Sequence, residues 1–220
     1  MKIYRFIPAI ASVFLLISLY ACSSINNNEE TLPTESETSS IENQTTSSEL
    51  GEFNLSLNYV KQSGSASNQF AVWIEDMSGN LIKTLYATRF TANGGYKNRP
   101  DSIPTWVEKS NLNSMSKTEV DAITGATPKT GILSYTWDLT DNNDNAVSPG
   151  EYKFFVEGSM RWKNRVLYSG VINIGDNPAT IQGDAEFIYQ GSNNQPALSD
   201  SSTETSMISA VTANFIPASK

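Results

Sequence analysis

Between Gly51 and Ile216 the sequence consists of short runs, each closed by turn-forming residues, and almost none carries a helical period. Phe53, Leu55, Leu57 and Tyr59 alternate with Asn54, Ser56 and Asn58, which predicts a half-buried strand. Gln69 to Asp76 (QFAVWIED) is apolar on both faces and so predicts a central strand. Ser78-Gly79-Asn80 predicts a hairpin turn, with a return strand over 81–86. Strands are also expected over 131–138 and 151–158, paired across the turn-rich stretch 142–150, and over 165–174, 180–190 and 206–216. One short helical turn is expected over 103–110, with Asp101 or Ser102 as N-cap and Pro104 in its first turn. About eight short strands with polar turns predict an all-β sandwich over residues 51–218. One long inserted loop, 87–130, interrupts it, and loops of that length in compact domains are functional or disordered.

Two segments precede this domain. Lys2 and Arg5 followed by the apolar run Ile7 to Leu19 read as a secretory signal over residues 1–21. The single Cys, Cys22, follows Ala21 and resembles the acceptor of a bacterial lipobox, from which Tyr20 departs. The competing reading is an ordinary signal or an N-terminal membrane anchor. Lipid on Cys22 holds a protein on a membrane surface without spanning it. Ser23, where Asp would mark inner-membrane retention, suits the outer membrane or cell surface by analogy. Residues 22–50 hold six Glu and no Lys or Arg, which predicts a disordered, self-repelling acidic tether.

Composition narrows the chemistry. With no His and one Cys, the chain cannot build a Ser-His-Asp or Cys-His catalytic set, an internal disulfide or an iron–sulfur centre. A formal charge of −8 argues against nucleic acid as a partner. Asp141 to Asn145 has the look of a calcium loop, but Ala146 and Tyr152 stand where an EF-hand needs Gly and Glu, so a hairpin turn is expected. Glu75 and Asp76 alternate faces and do not converge as a glycosidase pair would. Arg161, Trp162, Lys163 and Arg165 read as a basic partner patch or, more simply, a solvated hairpin tip.

Two resemblances follow from particular residues. Ser134 to Gly158 resembles the final hairpin of Ig-like domains of the flagellar hook-cap type, through Trp137, Asp138, Val147, Pro149, Gly150 and Tyr152. That resemblance implies an Ig-like sandwich. Ala71 to Leu85, Val120 to Thr127 and the same hairpin, in that order, resemble a family of predicted bacterial periplasmic proteins of unknown function. It implies an extracytoplasmic location and an association with flavin transferases and membrane proteins of PepSY type.

Asp121-Ala122-Ile123-Thr124-Gly125-Ala126-Thr127 matches D-x-x-[ST]-G-A-[ST], a pattern expected by chance in roughly one chain of this length per thousand. It is similar to the acceptor site for covalent FMN in exported flavoproteins, including a subunit of the sodium-pumping NADH:quinone reductase. The resemblance implies Thr127 as the hydroxyl that receives FMN from a separate flavin transferase. Asp121, Thr124, Gly125 and Ala126 become recognition and geometry positions. Such a phosphoester needs no Cys or His on this chain. Asp, Thr and Gly together also make an ordinary turn, so a structural loop stands as the competing reading. Within 87–130, Phe90, Tyr96 and Trp106 are candidates to stack on a flavin ring, and Arg89, Lys97, Arg99, Lys109, Lys117 and Lys129 to neutralise a phosphate. For Trp106 the simpler expectation is a plug holding the loop onto the sandwich. Two functions follow: a membrane-tethered redox carrier bearing FMN, or a non-catalytic binding or structural envelope lipoprotein without cofactor.

Overall fold

The computed structural model describes residues 50–63, 68–159, 164–188 and 207–219. The signal segment, Cys22, the tether as far as residue 49, and Arg161, Trp162 and Lys163 lie outside them. The described chain is an all-β sandwich of two sheets. The four-stranded sheet has the order β5 (Gly131–Trp137), β1 (Gly51–Tyr59), β10 (Ile208–Pro217), β8 (Ala179–Gln182). The six-stranded sheet runs β4 (Thr124–Gly125), β3 (Leu81–Thr88), β2 (Gln69–Asp76), β6 (Gly150–Ser159), β7 (Arg165–Ile174), β9 (Asp184–Ile188). Every pairing is antiparallel except β3 with β4.

The period-2 pattern translates directly into layers. Phe53, Leu55, Leu57 and Tyr59 of β1 are all buried, as their alternation predicts, and meet Phe70, Val72, Ile74, Phe154, Val156 and Phe215 between the sheets. Tyr152 and Phe154 point into that core from one face of β6. Strand β2 is third of six, the central position expected of it. The β2–β3 hairpin turns at Gly79, whose φ of +85° is left-handed and suits a residue without a Cβ.

Two expectations are corrected by the sheet order. Strands β5 and β6 do not pair as a hairpin. They belong to different sheets, and the turn between them carries only a bridge from Thr140 to Ala146. The run over 180–190 is likewise not one strand. It breaks at Gly183, whose N–H bonds the Val211 carbonyl, so that β8 joins one sheet and β9 the other.

The segment after β3 is not a structureless loop. It folds into α1 (Arg89–Ala92), a 3-10 turn (Gly95–Lys97), α2 (Pro104–Ser110) and α3 (Lys117–Ile123) before β4. These pieces cover the outer face of the six-stranded sheet, which is why β2 is buried on both sides. A second apolar cluster forms there from Ala71, Trp73, Ala87, Ile103, Trp106 and Val120. Phe155 stacks on Trp73 at 5.1 Å between centroids.

Polar groups lock this layer in place. Trp106 is fully buried, and its indole N–H donates to Thr84 Oγ1 at 3.1 Å, so it is the plug expected. The buried Glu157 carboxylate accepts from the backbone N–H of Trp106 and Thr105 and from the Thr105 hydroxyl, and pairs with Arg165. It thereby takes the role expected of Asp101 or Ser102, since α2 has no side-chain cap from its own N-terminal residues. Ile103, the N-cap residue, sits at φ 44°, a conformation costly for a β-branched side chain, and donates its N–H to Ser159 Oγ. Arg165 therefore belongs to this lock and not to a solvated tip.

The calcium-like stretch is a tight turn held by its own groups, closed by the Thr140–Ala146 bridge and not by a β5–β6 hairpin. Asp141 accepts the N–H of Asn143 and of Asn145. Lys83 Nζ donates into the same turn, to Thr140 Oγ1, the Asp141 carbonyl and Asp144 Oδ1 at 2.8–3.0 Å.

Candidate functional site

The heptad Asp121 to Thr127 spans three kinds of backbone. Asp121 is exposed in the last turn of α3. That helix starts at a capping box, in which Ser116 Oγ accepts from the Glu119 N–H and the Glu119 carboxylate accepts from the Ser116 N–H. The Ser116 side chain, foremost, holds the Glu119 carboxyl below its ordinary range. Val120 is buried under the helix and Ile123 packs against the same cluster, so α3 is fixed to the sheet. The helix runs directly into β4, where Thr124 pairs with Ala87 and Gly125 with Thr88 in parallel register.

Beyond β4 the chain leaves the edge of the six-stranded sheet and reaches β5 at the edge of the other. Residues 126–130 thus form a strap across one flank of the sandwich. Its far end is held by Thr130 Oγ1, which accepts the Lys61 N–H at 3.0 Å. Ala126 and Thr127 are exposed on the strap.

Tyr86 holds the near end. Its hydroxyl donates to the Ala126 carbonyl at 3.0 Å. Its ring lies under Gly125 so closely that a Cβ there would come within 2.6 Å of Tyr86 Cε2. The ring has no room to retreat: it stacks on Phe70 at 4.8 Å and tilts against Tyr135 at 5.2 Å. Burial pushes the Tyr86 hydroxyl up to about 12, with the neighbouring Tyr59 adding to the shift, so it remains a proton donor at physiological pH. The requirement for Gly within the heptad therefore has an internal cause. Gly125→Ala is expected to cost about 1–3 kcal/mol through overpacking. In a double-mutant cycle with Tyr86→Ala the two losses should couple by about 1 kcal/mol; additive losses would contradict the contact.

Thr124 adds an unusual feature. Its hydroxyl is buried and has no hydrogen-bond partner among the described residues. Of the loop residues named from sequence, Phe90 is half exposed, Arg89, Lys97, Lys109, Lys117 and Lys129 are exposed, and Tyr96 donates to Asn113. Lys109 is engaged with Glu75 and the Gly79 carbonyl. The structure thus brings Arg89 and Phe90 to the end of β3 beside the heptad, and sends Trp106 and Lys109 to the layer over the sheet. Sequence reasoning missed Tyr86, which read only as the end of a strand. It also missed α3, although Ser116-Lys117-Thr118-Glu119 carries the S-x-x-E signature of a capping box.

A family model described as "Predicted periplasmic protein (DUF2271)" matches residues 51–189. No curated protein and no solved structure matches.

Proposed function

The chain belongs to this family of predicted periplasmic proteins of unknown function, and from that premise we propose that it is an extracytoplasmic flavin carrier, bearing FMN as a phosphoester on Thr127 and held at a membrane by lipid on Cys22. The observation that carries the reading is the presentation of Thr127. Its residue is exposed on a strap between two sheet edges, directly after a segment fixed by β4, α3 and Tyr86. An outside enzyme can reach such a hydroxyl, and the fixed flank keeps it from folding back.

The chemistry balances without any catalytic group on this chain. With FAD as donor, the Thr127 Oγ–P bond forms at the flavin-side phosphorus as the pyrophosphate P–O bond breaks. AMP leaves with the electron pair, and the hydroxyl proton passes to the transferase. Bound there, the flavin supplies one- and two-electron transfer, and the protein supplies its position. Membrane redox proteins of PepSY type are the proposed partners, reached by the acidic tether over residues 22–50.

A specific observation favours the rival, a binding or structural lipoprotein without cofactor: Tyr86 alone explains why the heptad needs Gly125. Co-expression with a flavin transferase separates the two. The wild-type protein is expected to gain the mass of one FMN less water and to give a fluorescent band in a denaturing gel, and Thr127→Ala to give neither. A colourless wild-type protein, in cells where the transferase loads a control acceptor, leaves only the rival.

A further inference from the structure

We infer that Arg89 and Phe90 form the binding subsite for the group carried on Thr127, Arg89 for its phosphate and Phe90 for its planar ring. This rests on the flavin reading above and adds to it the residues that hold the cofactor against the protein. The carrying observation is the parallel register of β3 and β4. Ala87 lies beside Thr124 and Thr88 beside Gly125. Two chains that run the same way leave the sheet at the same end. The next residues of one are Arg89 and Phe90, and those of the other are Ala126 and Thr127. Helix α1, which holds Arg89 and Phe90, packs beside β4.

A lone exposed phenylalanine is ordinary. Phe90 differs in being half exposed yet fixed. The backbone at Gly95 closes on its ring, so that a Cβ on Gly95 would come within 2.6 Å of Phe90 Cε1. One side of the ring is thus supported by the protein while the rest faces solvent, which suits a stacking platform. Arg89 is exposed and takes part in no ion pair among the described residues, although carboxylates elsewhere in the domain are paired. A guanidinium free of a carboxylate and one residue from an aromatic platform matches a phosphate joined to a flat heterocycle. The other exposed charges nearby in sequence are Lys129, further along the strap, and Asp121, on the helix before β4.

The test uses full-length protein loaded by co-expressed transferase, with loading counted by intact mass. In the wild type the bound flavin is expected to show high fluorescence anisotropy and a visible circular dichroism band, and the Arg89 and Phe90 amide resonances to shift on loading. Phe90→Ala should load but lose at least half of the anisotropy and the dichroism. Arg89→Gln should slow loading several-fold, measured as transferase kcat/KM. Ile216→Ala, an exposed residue on the other sheet, serves as control and should change none of these. Loaded wild-type and Phe90→Ala proteins with the same anisotropy and dichroism would overturn the subsite while leaving Thr127 as acceptor. A wild-type protein that mass spectrometry finds unloaded would overturn the flavin reading itself, and the subsite with it.

Discussion

Trp106→Ala is expected to lower the unfolding free energy by about 3–5 kcal/mol, the range for removing a large aromatic from a core. The indole is fully buried in the cluster that joins the helical layer to β2 and β3, with Trp73, Ala71, Ala87 and Ile103 around it. Its removal also leaves the Thr84 hydroxyl without its donor. Urea unfolding followed by far-ultraviolet circular dichroism would read the loss. Trp106→Phe should separate the two contributions, keeping most of the packing and losing about 1 kcal/mol for the hydrogen bond. Because α3 and β4 are the last pieces of this layer, Trp106→Ala should also slow the loading of Thr127, though it lies in the layer and not on the strap. A loss under about 1 kcal/mol would mean that the layer docks by other contacts.

Glu157→Ala should cost about 3 kcal/mol, the lower part of the range for breaking a buried ion pair, because Arg165 keeps 21% of its side-chain exposure and so some hydration. The change removes the acceptor for the first N–H groups of α2 and strands a guanidinium whose Nε already lacks a partner. The carboxylate also gives a pH signature. Burial pushes the Glu157 carboxyl above its ordinary 4.5, against the pull of Trp106, Thr105 and Arg165. In the window between 4.5 and that raised value the native protein holds a proton that the unfolded chain has released. The contribution of Glu157 is therefore complete below the window and is lost as pH rises through it. Asp141 and Glu119, both held below their ordinary values, act in the opposite sense at lower pH. Glu157→Gln removes only the first effect. The stability gap between wild type and Glu157→Gln should then narrow as pH rises above 4.5, and a gap that widens would show the carboxylate to be stabilised in its charged form.

Much of this was written in local pattern. The alternation in β1, the two-sided apolar run of β2 and the turn at Gly79 each follow from side-chain period and backbone freedom, which neighbouring residues alone determine. What was not legible depends on distant partners. That β5 and β6 lie in different sheets is decided by the pairing of β5 with β1 and of β6 with β2, both far off in sequence. Trp106 reads correctly as a plug because a large apolar side chain has few other uses. Glu157 does not read as a helix anchor, since nothing near it in sequence announces the N–H groups some fifty residues upstream. At the site, Thr127 and Gly125 were marked by their motif. Tyr86, which explains the glycine, lies forty residues away and was visible only as one aromatic in an alternating strand. Arg89 and Phe90 were two of many cations and aromatics in a long segment, and only the β3–β4 register sets them apart.

The pairing of β1 with β10 bears on how such a protein matures. The first strand of the domain hydrogen-bonds to the last, from Gly51 opposite Pro217 to Tyr59 opposite Ile208. A chain delivered N-terminus first through a translocation channel would hold β1 waiting, one edge bare, until some 150 later residues had emerged. Until then the four-stranded sheet lacks one of its two central strands, and contacts this far apart in sequence form slowly. Envelope chaperones that shield an unpaired strand would find β1 their natural client.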